Sequence, residues 1–189
     1  MRSKKERIDH RKHRAVEEAR RSRAAGSEGE VKAVHKILVS ACLLGYNVRY
    51  DEGDNTCRDP RFQRWQREGR FVVVCPEVAG GLPTPRPPAE IQGDRVINVH
   101  GVDVTEPFRK GAEAALQLAR QHNVALAILK ERSPSCGSSW IYDGTFTGTK
   151  IPGEGVTAAL LRRHGIPVFS EEQLDEAEAL LAQLEGKTP

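Results

Sequence analysis

Three of the chain's four cysteines stand at or just beyond the carboxyl ends of short β-branched, apolar runs: Cys42 after KILVSA, Cys75 closing FVVVC, and Cys136 six residues beyond ALAILK. Such runs, separated by helical stretches, read as parallel strands, and parallel strands deliver their carboxyl ends to one edge of a sheet. Three thiols are therefore expected to converge. They come from three separate loops, and no nearby His completes a finger-like pair. An iron–sulfur cluster with one open iron fits that pattern better than structural zinc, which takes four closed ligands in paired spacings. Cys57, in the polar stretch DEGDNTCRDP, reads as an unligated thiol. On the residues alone, the alternative that the three cysteines are small buried hydrophobes stays open.

Side chains next to the thiols supply candidate chemistry. Glu77 follows Cys75 by two residues on a Pro-Glu turn, and a carboxylate in so dry a loop would have a raised pKa and could serve as an acid/base, or simply cap a helix. Ser133, three residues before Cys136, could orient substrate or water, or equally initiate a Ser-Pro turn. Ser40, opening SACLLG, and Lys130, at the third strand end, are candidates for substrate binding. Arg86 in the Pro-rich loop, Lys130 and the glycine-flanked helix start at Gly153 to Gly155 could together receive a phosphate, the last through free N–H groups. Arg86 and Lys130 could equally be structural, Lys130 through a salt bridge.

The elements that position these residues follow from pattern. Strands are expected at 36–41, 71–75, 125–130 and 166–169, with a short edge strand at 95–99. Helices are expected from Pro60 to Glu68, with Pro at N1, and from Thr105 to His122, with Thr105 as N-cap and Phe108, Ala112, Ala115, Leu116 and Ala119 on one face. Two more are expected at 155–165, closed by a Gly, and from Ser170 to Leu184, where Ser170 and Gln173 have the capping-box spacing. The four prolines and glycine pair of EVAGGLPTPRPPAE predict a fixed loop without regular structure. The order is a Rossmann-like, doubly wound, mostly parallel α/β sheet with flanking helices. SACLLG has one glycine where a dinucleotide fingerprint needs three, so NAD and FAD are not expected.

At 189 residues and 38% hydrophobic content, the chain suits one domain with a real core. The net charge of +3 is unevenly spread: residues 1–24 hold ten Lys/Arg against four Asp/Glu, and the other 165 residues hold nineteen against twenty-two. We expect a basic, mobile or partly helical extension over 1–32, preceding a single α/β domain over 33–189. Such an arm could make weak RNA contact through phosphates, or merely aid solubility. With no 18-residue apolar run and no apolar leader, the chain reads as cytoplasmic, with no membrane partner, and as a monomer or weak homodimer. Four cysteines in a reducing cytosol point to metal or catalysis before disulfides.

SACLLGYNVRYDEG, CPEVAGGLPTPRPPAEI, LKERSPSCGSSWIYDGTFTGTKIPGEGVTAALL and GIPVFSEEQL, taken together and in this order, resemble the thiouracil desulfidase family over roughly residues 36 to 175. The resemblance implies a [4Fe–4S] cluster held by Cys42, Cys75 and Cys136, with the fourth iron free for a thiocarbonyl sulfur. It also implies that Glu77 and Ser133 are the catalytic side chains. The implied reaction is a hydrolytic, non-redox desulfuration of a thiolated pyrimidine, 4-thiouracil or a 4-thiouridine nucleotide. Water would attack the carbon, Glu77 would shuttle the proton, Ser133 would orient the substrate, and hydrosulfide would leave. Two other classes remain to be weighed: a metal-free cysteine thiol or redox enzyme, and a non-catalytic RNA-associated module that binds through its arm.

Overall fold

The computed structural model describes residues 34–53 and 55–187. The basic extension expected over 1–32, and the RNA contact assigned to it, lie outside the described residues. Four parallel strands form the central sheet: β1 (Ile37–Ser40), β2 (Phe71–Val74), β5 (Leu126–Leu129) and β8 (Val168–Ser170), in the order β2-β1-β5-β8. Between them run α1 (Pro60–Arg67), α2 (Pro76–Ala79), α3 (Thr105–Gln121) and α4 (Val156–Arg163), with α5 (Leu174–Leu184) last. The chain winds outward in one direction through β2 and in the other through β5. The order therefore reverses between β1 and β5, which opens a crevice at the carboxyl ends of those two strands.

Alternation along β1 sends Leu38 to one face and Ile37 and Val39 to the other, and all three are completely buried. Leu38 joins Val72, Ala127 and Leu129 under Ala115 and Leu116 of α3 and Ala158 and Leu161 of α4. Ile37 and Val39 join Leu126 and Ile128 under Phe62 and Trp65 of α1 and Leu174, Ala177 and Leu181 of α5. Helices thus cover both faces, as a doubly wound sheet requires. The five apolar residues expected on one face of α3 are all buried. Among the described residues no helix is long and apolar enough to cross a membrane.

Several local expectations are corrected. The Pro-rich segment is not wholly irregular: Pro76 sits at N1 and starts the short helix α2, and β3 (Ala89–Gln92) begins at its far end. The segment 95–99 gives β4 (Arg95–Asn98), which pairs antiparallel with β3 as a separate hairpin and not along the main sheet. A two-residue Gly93–Asp94 loop closes it, with φ of 66° at Gly93, a turn signal the sequence reading passed over. A second hairpin, β6 (Trp140–Tyr142) with β7 (Lys150–Pro152), was not anticipated, because three-residue strands carry too little alternation to register. Thr105 is the first residue of α3 and not its cap. Its Oγ1 accepts from the Val96 N–H at 2.9 Å, and Asp103 Oδ1 accepts from the Thr105 N–H at 2.9 Å. Helix α5 starts four residues later than expected, at Leu174. Ser170 ends β8, and its N–H donates to Gln173 Oε1 at 3.2 Å across the intervening turn.

Glycines set how closely α2 lies on α3. A Cβ at Gly80 would stand 2.0 Å from the Pro107 carbonyl oxygen, and one at Gly111 would stand 1.9 Å from that of Pro76. No backbone atom can yield that far without separating the helices. The Gly111→Ala variant is therefore expected to lose about 1–3 kcal/mol of stability in urea denaturation. Because α2 follows Cys75 and carries Glu77, the same variant should perturb the site described next.

Candidate active site

Each of the three strand-end cysteines is held by its own loop. Cys42 lies in a 3-10 turn, Ala41–Leu44, that leaves β1 directly and is closed by Gly45 at φ 84°. Cys75 precedes α2 in an extended conformation, and its Sγ donates to the Val48 carbonyl oxygen at 3.8 Å. Cys136 lies in the loop after β5, buried among the core residues under α3 and α4. All four cysteines are free thiols. Burial, with the neighbouring Cys75 thiol second, pushes Cys42 up to about 11. Burial likewise raises Cys75 and Cys136, the latter against an opposing hydrogen bond from Ser40.

The three thiols line one cavity of about 590 Å³ at the carboxyl edge of the sheet, where the strand order reverses. Glu77, Ser133, Ser40, Arg86 and Lys130 line it as well, whereas Gly153 to Gly155 do not. Cys57 does not. It is half-buried against the core on the α1 and α5 side, its N–H donating to the Leu43 carbonyl oxygen at 2.8 Å. Among the described residues no three His, Cys, Asp or Glu side chains are arranged to hold a single metal ion.

Polar contacts give these side chains definite roles. Glu77 is not an isolated carboxylate: its Oε2 accepts from Arg86 Nε at 2.7 Å. Arg86, only 5% exposed in its side chain, also donates to the carbonyl oxygens of Pro83 at 3.1 Å and Val48 at 3.0 Å, so most of its fork is committed within the protein. Lys130 Nζ is paired with Glu171. The Ser40 hydroxyl oxygen accepts from the Lys130 N–H at 3.0 Å and so ties β1 to the end of β5.

The loop carrying Cys136 is organised by groups that the sequence reading missed. Glu131, 3% exposed, accepts at Oε1 from the N–H groups of Arg132 (3.2 Å), Ser138 (3.0 Å), Ser139 (3.1 Å) and Trp140 (3.1 Å). The Ser138 hydroxyl donates to its Oε2 at 3.0 Å. Burial would raise the Glu131 carboxyl, but those hydrogen bonds outweigh it and hold the group below its ordinary value. Ser133 Oγ accepts from the N–H groups of Ser135 and Cys136, both at 3.1 Å, which shapes the turn and leaves its own hydrogen to donate. At the start of α4, where a phosphate was expected, the N–H groups of Gly155, Val156 and Thr157 are engaged inside the protein. Gly155 donates to the Gly137 carbonyl oxygen at 2.8 Å, Val156 to Pro134 at 2.9 Å and Thr157 to Ser135 at 2.8 Å. The helix N-terminus clamps the cysteine loop instead.

A model of the 2-thiouracil desulfurase family matches residues 37–173. The chain is 44% identical over 150 residues to the uncharacterized protein YbbK of Bacillus subtilis (strain 168), covering 74% of this chain and 98% of that protein. It is 54% identical to a solved structure, the [4Fe–4S]-dependent thiouracil desulfidase TudS, with a TM-score of 0.78, covering 79% of this chain and 99% of that one.

Removing the Glu131 carboxylate would strand four backbone N–H groups, so Glu131→Ala should cost about 3 kcal/mol or more in urea denaturation. The depressed carboxyl also fixes a pH dependence. Its contribution is complete above the ordinary glutamate value of about 4.3 and is lost as pH falls through the lower folded value. The acid-side loss of stability should therefore be shallower in Glu131→Gln than in the unsubstituted protein, measured by denaturation at a series of pH values.

Proposed function

The chain belongs to the 2-thiouracil desulfurase family, and from that premise we propose that it is a [4Fe–4S]-dependent thiouracil desulfidase whose cluster is held by Cys42, Cys75 and Cys136. The observation that carries this reading is the meeting of three free thiols, from three strand ends, in one cavity of about 590 Å³. The donors fit such a cluster. They are soft sulfurs, they number three, and no three donors among the described residues suit a single ion instead. Burial makes their thiolates costly until a cation lies among them, so deprotonation and metal binding are coupled. The same burial weighs against a metal-free thiol enzyme, which needs a lowered thiol pKa and partial exposure.

When bound, the cluster supplies a thiophilic Lewis acid toward the sulfur of a thiocarbonyl. The chain's own residues then handle the proton and the substrate. With Glu77 Oε2 engaged by Arg86, Oε1 is the atom that takes a proton from the attacking water and passes it toward the departing sulfur. Arg86 fixes that carboxylate in place. The Ser133 hydroxyl, its oxygen already accepting two N–H groups, donates its hydrogen to the ring and orients it. Ser40 and Lys130 form the wall between β1 and β5 against which the substrate lies. One oxygen replaces one sulfur, hydrosulfide leaves, and no electron is transferred. The substrate is a thiolated pyrimidine, 4-thiouracil or a 4-thiouridine nucleotide, reached from solution by a protein that works in the cytoplasm.

After anaerobic reconstitution, the protein should be brown and hold about four irons per chain with matching sulfide. Cys42→Ser, Cys75→Ser and Cys136→Ser should each lose that content, and Cys57→Ser should keep it. Protein that stays colourless and iron-free would overturn the reading. Glu77→Gln should retain the visible spectrum yet desulfurate 4-thiouracil at least about 100-fold more slowly. Assaying 2-thiouracil and 4-thio-UMP beside 4-thiouracil fixes the position of the sulfur and the size of the substrate.

A further inference from the structure

Among the described residues, the Asn55 amide nitrogen is the buried side-chain nitrogen or oxygen atom that lacks a hydrogen-bond partner. Asn55 also lines the cavity of the three thiols. We propose that Asn55 is a substrate-recognition residue, donating from Nδ2 to the carbonyl oxygen that the thiolated pyrimidine retains. The identity of the ligand rests on the desulfidase reading; the unmet donor does not.

A buried, unpaired N–H costs stability and persists where a partner is absent from the free protein but arrives with a ligand. On one side of Asn55 the Arg86 N–H donates to the Tyr50 carbonyl oxygen at 3.0 Å, and on the other the Cys57 N–H donates to the Leu43 carbonyl oxygen at 2.8 Å. The segment bearing Asn55 follows the Cys42 turn, so Asn55 approaches the cavity on an element separate from those bearing Glu77 and Ser133. Of the neighbouring polar groups, Arg86 and Lys130 are already engaged by carboxylates. A neutral amide donor suits a neutral acceptor, and a thiouracil ring keeps one carbonyl oxygen that takes no part in the exchange of sulfur for oxygen. Hydrogen bonding there holds the ring so that the thiocarbonyl meets the thiol side of the cavity. It also gives discrimination, because a ring without that oxygen leaves the buried N–H unpaired.

The test pairs a residue change with a substrate change, in the reconstituted holoenzyme. For the unsubstituted protein, kcat/KM for 4-thiouracil should exceed that for pyrimidine-4-thione, which lacks the second carbonyl, by about tenfold, the worth of one such hydrogen bond. In Asn55→Ala that preference should vanish, through KM, with the visible spectrum and iron content unchanged. An equal preference in both proteins would overturn the proposal. So would an unchanged KM with an altered cluster spectrum, which would assign the N–H to a cluster sulfide. Calorimetric titration with uracil reads the same contact without turnover. Uracil bound about tenfold more weakly by Asn55→Ala supports the proposal even if no thiouracil is desulfurated, an outcome that would sink the desulfidase reading alone. Equal uracil affinity in the two proteins overturns the proposal and leaves that reading intact.

Discussion

The site depends on a loop that must be buried and irregular at once. Residues 131–140 carry Cys136 into the core, where every N–H and C=O removed from water has to find a partner without help from a helix or a sheet. Three separate devices meet that demand. The Glu131 carboxylate gathers four N–H groups, Ser133 Oγ takes two more, and the first N–H groups of α4 cap the carbonyl oxygens of Pro134, Ser135 and Gly137. Gly155 is needed for the last of these, since a Cβ there would stand 2.4 Å from the Ser135 carbonyl group. The two ends of the loop are thus locked by opposite halves of backbone chemistry, an anion for the donors and a helix N-terminus for the acceptors.

The sheet turns this local solution into a site. Parallel pairing in the order β2-β1-β5-β8 puts the ends of β2, β1 and β5 side by side, and each of the three ends leads to one thiol. The short α2 can lie flat against α3 only because Gly80 and Gly111 let the two backbones touch, and that contact aims Cys75 and Glu77 at the cavity. Electrostatics follow from the same enclosure. Away from water, a thiol resists ionisation and a carboxylate needs a partner, so Glu77 sits with Arg86 and Lys130 with Glu171 while the thiols stay high.

Much of the architecture was legible because periodicity reports burial directly. KILVSA and ALAILK are runs buried on both faces, FVVVC is an edge run that buries Val72 and Val74 and leaves Val73 exposed, and each proved to be a strand of the parallel sheet. The face of α3 was readable from Phe108 to Ala119 for the same reason. The two hairpins were not, since β6 and β7 are three residues long and β3 emerges from a Pro-rich segment whose local signal is a loop. The caps of α3 and α5 were misjudged by a few residues because Ser and Thr near a helix start can serve several neighbouring N–H groups, and tertiary contacts choose among them. Thr105 was taken by β4, and Ser170 by the sheet.

The sequence by itself determined the fold class, the three cysteines and the side chains expected beside them, because the alternation of strands and helices and the carboxyl-end rule follow from hydrophobic pattern and chain handedness. Only the tertiary structure decided which groups are committed and which are free. It gave Arg86 to Glu77, closed the start of α4 over the cysteine loop where a phosphate site had been expected, and left Asn55 with a donor facing no acceptor. Glu131 and Asn55 look like ordinary polar loop residues in the sequence. Hydrogen bonds join atoms that lie far apart along the chain or around an irregular turn, and no periodicity records that pairing, so who satisfies whom is settled only once the backbone is in place.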